Sequence, residues 1–303
     1  MKKQIIMIIL LLISNWAHAR EIVTLVYPWA LGDSMAGIMM SMLDQANKSQ
    51  NQYRFVIESR PGAGGAIAAN HVIRTPNTIL ATSAAVWLRP RFYPQDSHDP
   101  GNLKTLLVQF ECPFAVASNR FQSWSDLNPA TAMTIGTSGL GVVTHLTALQ
   151  IQKRYPTIVV VPFKSTTESL QNAVGRHVDF HVGFVRQAEQ YAETHAPAGI
   201  TILGVTGTQA VKKWPTLLSQ GFDKNLSQIS LTHFLMVPNT IPHSQFLIWQ
   251  NILKRAMQHS SVKNLYQQDY CTGQTHVKDL DQWQTDQINF WQNITRGVVI
   301  NDR

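Results

Sequence analysis

Three glycines crowd the segment Arg60-Pro61-Gly62-Ala63-Gly64-Gly65, directly behind the apolar run Tyr53–Ile57 and ahead of helix-compatible sequence from Ala66. Pro61 fixes φ at one position, and the glycines remove the Cβ atoms that forbid φ > 0. Strand, glycine turn and helix in this order build a βα unit, and such a turn can aim backbone N–H groups at a bound anion. A tight βα connection without any ligand accounts for the same spacing.

The alternation continues on both sides of the turn. Glu21–Tyr27 reads as a first strand, stopped by Pro28. Ser34–Gln45 has helical periodicity, with Met35, Ile38, Met39, Met42 and Leu43 as its apolar stripe, and the methionines read as core filling. A short strand at Thr78–Thr82 completes a β-α-β-α-β series, which predicts a parallel sheet with right-handed crossovers. A second series starts near Leu106, with strand material at Leu106–Phe110 and Pro113–Ala117 where the chain crosses between lobes. It continues with strand Met133–Gly136, the glycine-bearing turn Thr137–Gly141, a helix over Val143–Arg154, strand Ile158–Pro162 and helix Thr167–Val174. Strands at Val178–Gly183 and Ile200–Thr206 follow. Ser230–Val237 is expected to return to the first lobe, followed by helices Gln245–His259 and Asp279–Ile294. The expected lobes are residues 20–112 with 231–303, and residues 113–230.

Residues 1–19 stand apart from this fold. Lys2 and Lys3, the apolar run Ile5–Ile13 and the small-x-small site Ala17-His18-Ala19 make a secretory signal peptide, cleaved after Ala19 and too short to span a bilayer. Cleavage leaves 284 of the 303 residues, enough for two lobes, and lowers the formal charge from +7 to +5. No run of five or six Lys/Arg occurs, which argues against a nucleic-acid partner; a mild positive field would help collect anionic small molecules. Cys112 and Cys271 would reach an oxidising compartment that permits a bridge, but their separation leaves pairing open. Without neighbouring histidines they make no metal site, and no cofactor is expected.

Ligands of open α/β sheets bind beyond the carboxyl ends of the strands. Three turns lie there: Pro28–Ser34, Pro61–Gly65 and Gly136–Gly141. The first and third can face each other across a cleft, where backbone N–H groups and the hydroxyls of Ser34, Ser138 and Thr144 would hold a small carboxylate. Catalytic patterns are missing: Gly136-Thr137-Ser138-Gly139 is not a nucleophile elbow, and no phosphate-binding or zinc-binding motif is complete. His145 reads either as a base or as a histidine that caps a helix start. No enzyme is expected.

These residues resemble a family, the extracytoplasmic solute receptors of the tripartite tricarboxylate transporters, often called Bug receptors. Its R-P-G-A-G-G motif stands intact at Arg60–Gly65, and its P-F-x-P-G-G-x-x-D loop is similar to Pro28–Ala36. A G-x-x-G-x-G-x-x-x-H-L segment is matched by Gly136–Gly141 with His145-Leu146. A V-P-Y-K-G run is matched by Val161–Ser165, and a relaxed G-x-V-D by Gly175–Asp179. The order holds across essentially the whole mature chain.

The resemblance implies an α/β, two-lobed periplasmic binding protein fold of type II-like form. Each lobe would be a mostly parallel sheet flanked by helices, with a ligand cleft between lobes that close like a hinged trap. It implies a periplasmic location, a small organic solute as ligand, permease subunits as partners and a monomer. Carried over residue by residue, the contacts are Trp29, Gly32, Asp33 and Ser34 in the first loop and Thr137, Ser138, Gly141, Thr144 and His145 at the second lobe. Phe163, Lys164 and Gly183 would line the cleft, although Lys164 also reads as a solvated surface lysine. The chain departs from the pattern at Leu31 for a proline, Asp33 for a glycine, Ala36 for an aspartate and Gly183 for an aspartate. An anionic Asp33 at a pocket mouth disfavours a carboxylate unless it points outward or meets a cation. A zwitterion, an amide or a non-binding pocket therefore stays open beside a carboxylate. A co-receptor that docks on a sensor kinase stays open beside the transport role.

Overall fold

The computed structural model describes residues 20–96, 98–194, 199–298 and 300, so the expected signal peptide lies outside the described residues. Strand β1 (Glu21–Tyr27) runs into Pro28, and α1 (Ser34–Ser49) starts under an Asp33 cap whose carboxylate accepts the Ala36 N–H at 2.8 Å. The helix buries the expected methionine stripe. It continues past Gln45 because Ala46 extends the buried face and Lys48 reaches Asp44 one turn back at 2.6 Å. Strands β2 (Tyr53–Ser59) and β3 (Thr78–Thr82) flank β1 in parallel, joined by α2 (Ala66–Arg74).

The glycine turn between β2 and α2 holds Gly62, Ala63, Gly64 and Gly65 at φ of 126°, 46°, 58° and 96°. At Gly64 a Cβ would lie 3.2 Å from the Arg89 side chain and 3.8 Å from the Leu140 carbonyl of the second lobe. The left-handed φ favours glycine here, and the turn comes into contact range of the second lobe.

Both sheets are mixed. The first, in the order β11–β4–β10–β3–β1–β2, adds β4 (Leu103–Cys112), β10 (Leu231–Pro238) and the edge strand β11 (Thr272–Gly273), all antiparallel to their neighbours. The second runs β7–β6–β8–β5–β9. In it β6 (Met133–Thr137) is parallel to β7 (Ile158–Pro162) and β8 (Phe180–Phe184). The pairs of β5 (Phe114–Ser118) with β8 and with β9 (Thr201–Val205) are antiparallel. The expectation of mostly parallel sheets is corrected here for a physical reason. Strands β4, β5 and β10 carry the chain between the sheets, so no βα crossover fixes their direction.

Three helices were absent from the sequence reading: α3 (Ala85–Phe92), α6 (Val185–Thr194) and α8 (Ser260–Gln268). The expected ones are α4 (Val143–Gln152), α5 (Thr166–Val174), α7 (His243–Met257) and α9 (Leu280–Ile294). Among the described residues no helix is long and apolar enough to cross a membrane.

Cys112 and Cys271 form a disulfide across 159 positions. Cys112 ends β4 opposite Leu231, the first residue of β10, and Thr272 pairs with Glu111. The bridge therefore sits where the chain leaves the first sheet and where it returns.

Candidate ligand-binding site

A cavity lies between the lobes, with about 510 Å³ of empty space including its open mouth. The first lobe supplies Tyr27 from the end of β1, Trp29 and Asp33 from the loop behind it, and His233 from β10. The second supplies Phe114 and Phe184, Ser138 with Val142–Thr144 around the start of α4, and Ser165-Thr166 at the start of α5. Of the carried-over contacts, Trp29, Asp33, Ser138 and Thr144 meet there.

The other carried-over residues sit elsewhere. Gly32 is exposed in open space at the loop tip. Ser34 begins α1; its hydroxyl favours the ionised form of Asp269 but lies outside hydrogen-bond geometry. Thr137 is buried and donates to the Gly139 carbonyl at 3.2 Å. The Gly141 N–H donates to His145 Nδ1 at 3.0 Å, so His145 closes the turn before α4 and acts as a cap. Phe163 covers Gly136, where a Cβ would lie 3.0 Å from its ring. Lys164 is exposed, and its backbone N–H donates to Glu168 Oε2 at 2.8 Å. At Gly183 a Cβ would lie 2.2 Å from His181 Nε2, so the glycine makes room for a buried histidine.

Electrostatics divide the cavity. Among the described residues that line it, Asp33 is the only charged side chain. Tyr27 Oη donates to both Asp33 oxygens at 2.9 Å. Burial pushes the Asp33 carboxyl above its ordinary value, against the Ala36 N–H and the Tyr27 hydroxyl, with Asp269 adding to the rise. Burial, and then Asp33, push the Tyr27 phenol well up, so it remains a donor.

His233 is 1% exposed, and burial drives its pKa down to about 3, so the ring is neutral. Its tautomer follows from the core beneath it. Gln109 Nε2 faces the thioether sulfurs of Met39, Met42 and Met257 at 3.5, 3.2 and 3.4 Å. Sulfur is a weak acceptor, so the amide NH₂ points there and Gln109 Oε1 faces His233 Nδ1 at 2.8 Å. Nδ1 must then carry the proton. Nε2 is left as an acceptor without a partner among the described residues.

The helix starts differ too. α1 and α5 are capped by their own Asp33 and Ser165 side chains, whereas α4 begins behind Val142 with no side-chain cap. The uncapped start of α4 lines the cavity together with Ser138 Oγ, itself 2.9 Å from Thr144 Oγ1.

A second contact joins the lobes. Glu189 on α6 is 3% exposed at its side chain and takes Lys212 Nζ at 2.5 Å, Arg186 Nη1 at 3.1 Å and the Tyr270 hydroxyl at 2.5 Å. Burial works against its ionisation, but the hydrogen bonds from Lys212, Tyr270 and Arg186 outweigh it and hold the carboxyl below its ordinary value. Tyr270 follows α8, next to the bridged Cys271. Tyr270 and Lys212 lie at φ of 61° and 51°, a costly region for bulky residues that surrounding contacts must hold.

Sequence reasoning missed Tyr27, His233, Phe114 and the α5 start. Ser165 three residues before Glu168 is a helix-start pattern that marks α5. His233 had a fainter sign, a single imidazole inside the apolar strand Leu231–Val237.

Two lobes around a cavity, with the chain crossing between them on β4–β5 and back on β10, define a periplasmic binding protein fold. The model of the tripartite tricarboxylate transporter family receptors (TctC) matches residues 41–299, and the chain belongs to that family. It is a solute receptor and not an enzyme. Similar solved structures include the periplasmic binding protein BugD, with TM-score 0.78 and 17% identity over 91% of this chain and 97% of that one. A protein of R. palustris with adipate has TM-score 0.77 and 19% identity, over 93% and 98% of the two chains. MatC of Rhodopseudomonas palustris with bound malate has TM-score 0.76 and 19% identity, over 91% and 99%. At such identities the likeness shows the fold. No curated protein matches the chain.

Proposed function

We propose that this chain captures a small carboxylate-bearing solute between its lobes in the periplasm and presents it to the membrane subunits of a tripartite tricarboxylate-type transporter. The observation that carries this reading is the start of α4. Its N-cap and first two residues, Val142, Val143 and Thr144, line the cavity, and Val142 has no side chain that could cap its N–H groups. The first N–H groups of a helix need partners, and a carboxylate supplies them. Ser138, Thr144, Ser165 and Thr166 add hydroxyl donors around the same end. Adipate and malate in the relatives are both carboxylates.

Export with cleavage after Ala19, a monomeric state, and lobes of residues 20–112 with 231–303 and of 113–230 belong to the same reading. So do Trp29, Asp33, Ser138 and Thr144 as ligand contacts. A thermal-shift screen of small mono-, di- and amino-carboxylates tests it. Ligand at 100 times Kd adds about 2.7 kcal/mol, a shift of several degrees. Flat melting curves throughout the screen would refute the reading.

A further inference from the structure

The cavity's two halves offer opposite chemistry. The second-lobe half is made of donors, the uncapped α4 start and four hydroxyls. The first-lobe half carries, besides the Ser83 hydroxyl, mainly acceptors and ring faces. Asp33 brings a carboxyl group, and among the described residues no lysine or arginine lines the cavity beside it. The positive end of α1 is already answered, because Asp33 itself caps that helix. His233 Nε2 is a lone-pair acceptor with no partner among the described residues, on a ring that lines the cavity. Tyr27 joins the two groups: its hydroxyl is on Asp33, and its ring centroid is 6.4 Å from that of His233. Trp29 packs edge-on against Tyr27 at 5.4 Å and adds a second electron-rich face. A carboxylate, acceptors and aromatic faces together are what an ammonium group needs. A second carboxylate would meet like charge in a water-poor site.

We propose that the first-lobe half takes a protonated amine carrying N–H groups, so that the solute is an amino carboxylate with its carboxylate at α4 and its ammonium beside Asp33 and His233. This rests on the receptor reading above and narrows it. The N–H requirement comes from His233 Nε2, which a trimethylammonium group cannot satisfy.

Titration calorimetry on the purified protein and on Asp33→Asn tests the proposal, since asparagine caps a helix as well as aspartate does and keeps one oxygen for the Tyr27 hydroxyl while removing the charge. The probes are 4-aminobutyrate against succinate, β-alanine against malonate, the trimethylated analogue of 4-aminobutyrate, and butylamine. The expected result is binding of an amino acid at least tenfold tighter than its dicarboxylate and trimethyl counterparts, following the strength of a charge-assisted hydrogen bond. In Asp33→Asn that amino acid weakens about 10- to 100-fold, while the dicarboxylate gains. A dicarboxylate that binds as tightly as its amino partner, with a ratio unmoved in Asp33→Asn, overturns the amine site and leaves the receptor reading standing. Butylamine binding as tightly as 4-aminobutyrate supports the amine site and overturns the carboxylate half of the reading. No binding by any probe overturns both.

Discussion

Replacing Cys112 and Cys271 by serine removes a cross-link whose size can be worked from the chain. The bridge closes a loop of 159 positions, for which the chain-entropy relation gives about 5 kcal/mol at 25 °C. If the second lobe stays folded while the first melts, its body already holds residues 113 and 230 together. The loop that matters is then the 41 residues Leu231–Cys271, and the same relation gives about 4 kcal/mol. Both cysteines are buried, so each serine also places a hydroxyl in an apolar setting. Melting of the whole chain loses about 2 °C of Tm per kcal/mol and melting of the first lobe alone about 3 °C, so the double variant is expected to melt roughly 9–12 °C lower. Calorimetry on the variant, and on the parent with and without a thiol reductant, measures this. A fall of under about 3 °C, or a parent indifferent to reduction, would show that the bridge does not constrain the unfolded chain as argued.

Two further outcomes follow from buried histidines. His181 and His233 are held neutral, with pKa values pushed down to about 3 by burial, against about 6.5 when unfolded. The unfolded chain binds the extra protons, so stability is complete above about pH 6.5 and falls toward pH 3 by about 1.4 kcal/mol per pH unit for each ring. A Tm that stays level between pH 7 and pH 5 would contradict this. Gly183→Ala drives a Cβ to 2.2 Å from His181 Nε2 and should cost about 1–3 kcal/mol by denaturant titration. Adding His181→Ala should give a double variant that loses less than the sum of the singles, and strict additivity would sink the explanation.

Much of the architecture could be read from local pattern. The first βαβαβ series was legible because each strand is a short apolar run and each connection carries Pro, Gly or a polar cap. Helix α6 was not, since Val185 follows Phe184 of β8 without any turn residue between. The mixed sheets were hidden for another reason: β4, β5 and β10 pair with strands far away in sequence, and no local signal sets their direction. In the cavity, Trp29, Asp33, Ser138 and Thr144 were legible as residues at strand ends and a helix start. His233, Phe114 and Leu231 come from the segments that cross between lobes, where register alone brings them to the cavity. The aspartate of the first loop is displaced by three residues from the family position at Ala36. At Asp33 it serves as the cap of α1, which explains why a charge is tolerated there.

Beneath the cavity, the three thioethers around Gln109 hold the amide in one orientation, and the amide holds the proton on His233 Nδ1. On the proposed amine site, selectivity is partly stored in side chains that do not line the cavity. A Met42→Leu exchange keeps the volume of the core yet removes a sulfur from the amide's NH₂. With Met39 and Met257 exchanged as well, Gln109 is free to turn over and present a donor to Nδ1, which would move the imidazole proton to Nε2. The cavity would then offer a donor where it had offered an acceptor, with every lining residue unchanged. Two relatives with identical cavity walls can thus prefer opposite solutes, and the difference is written one layer down, in the packing of a helix.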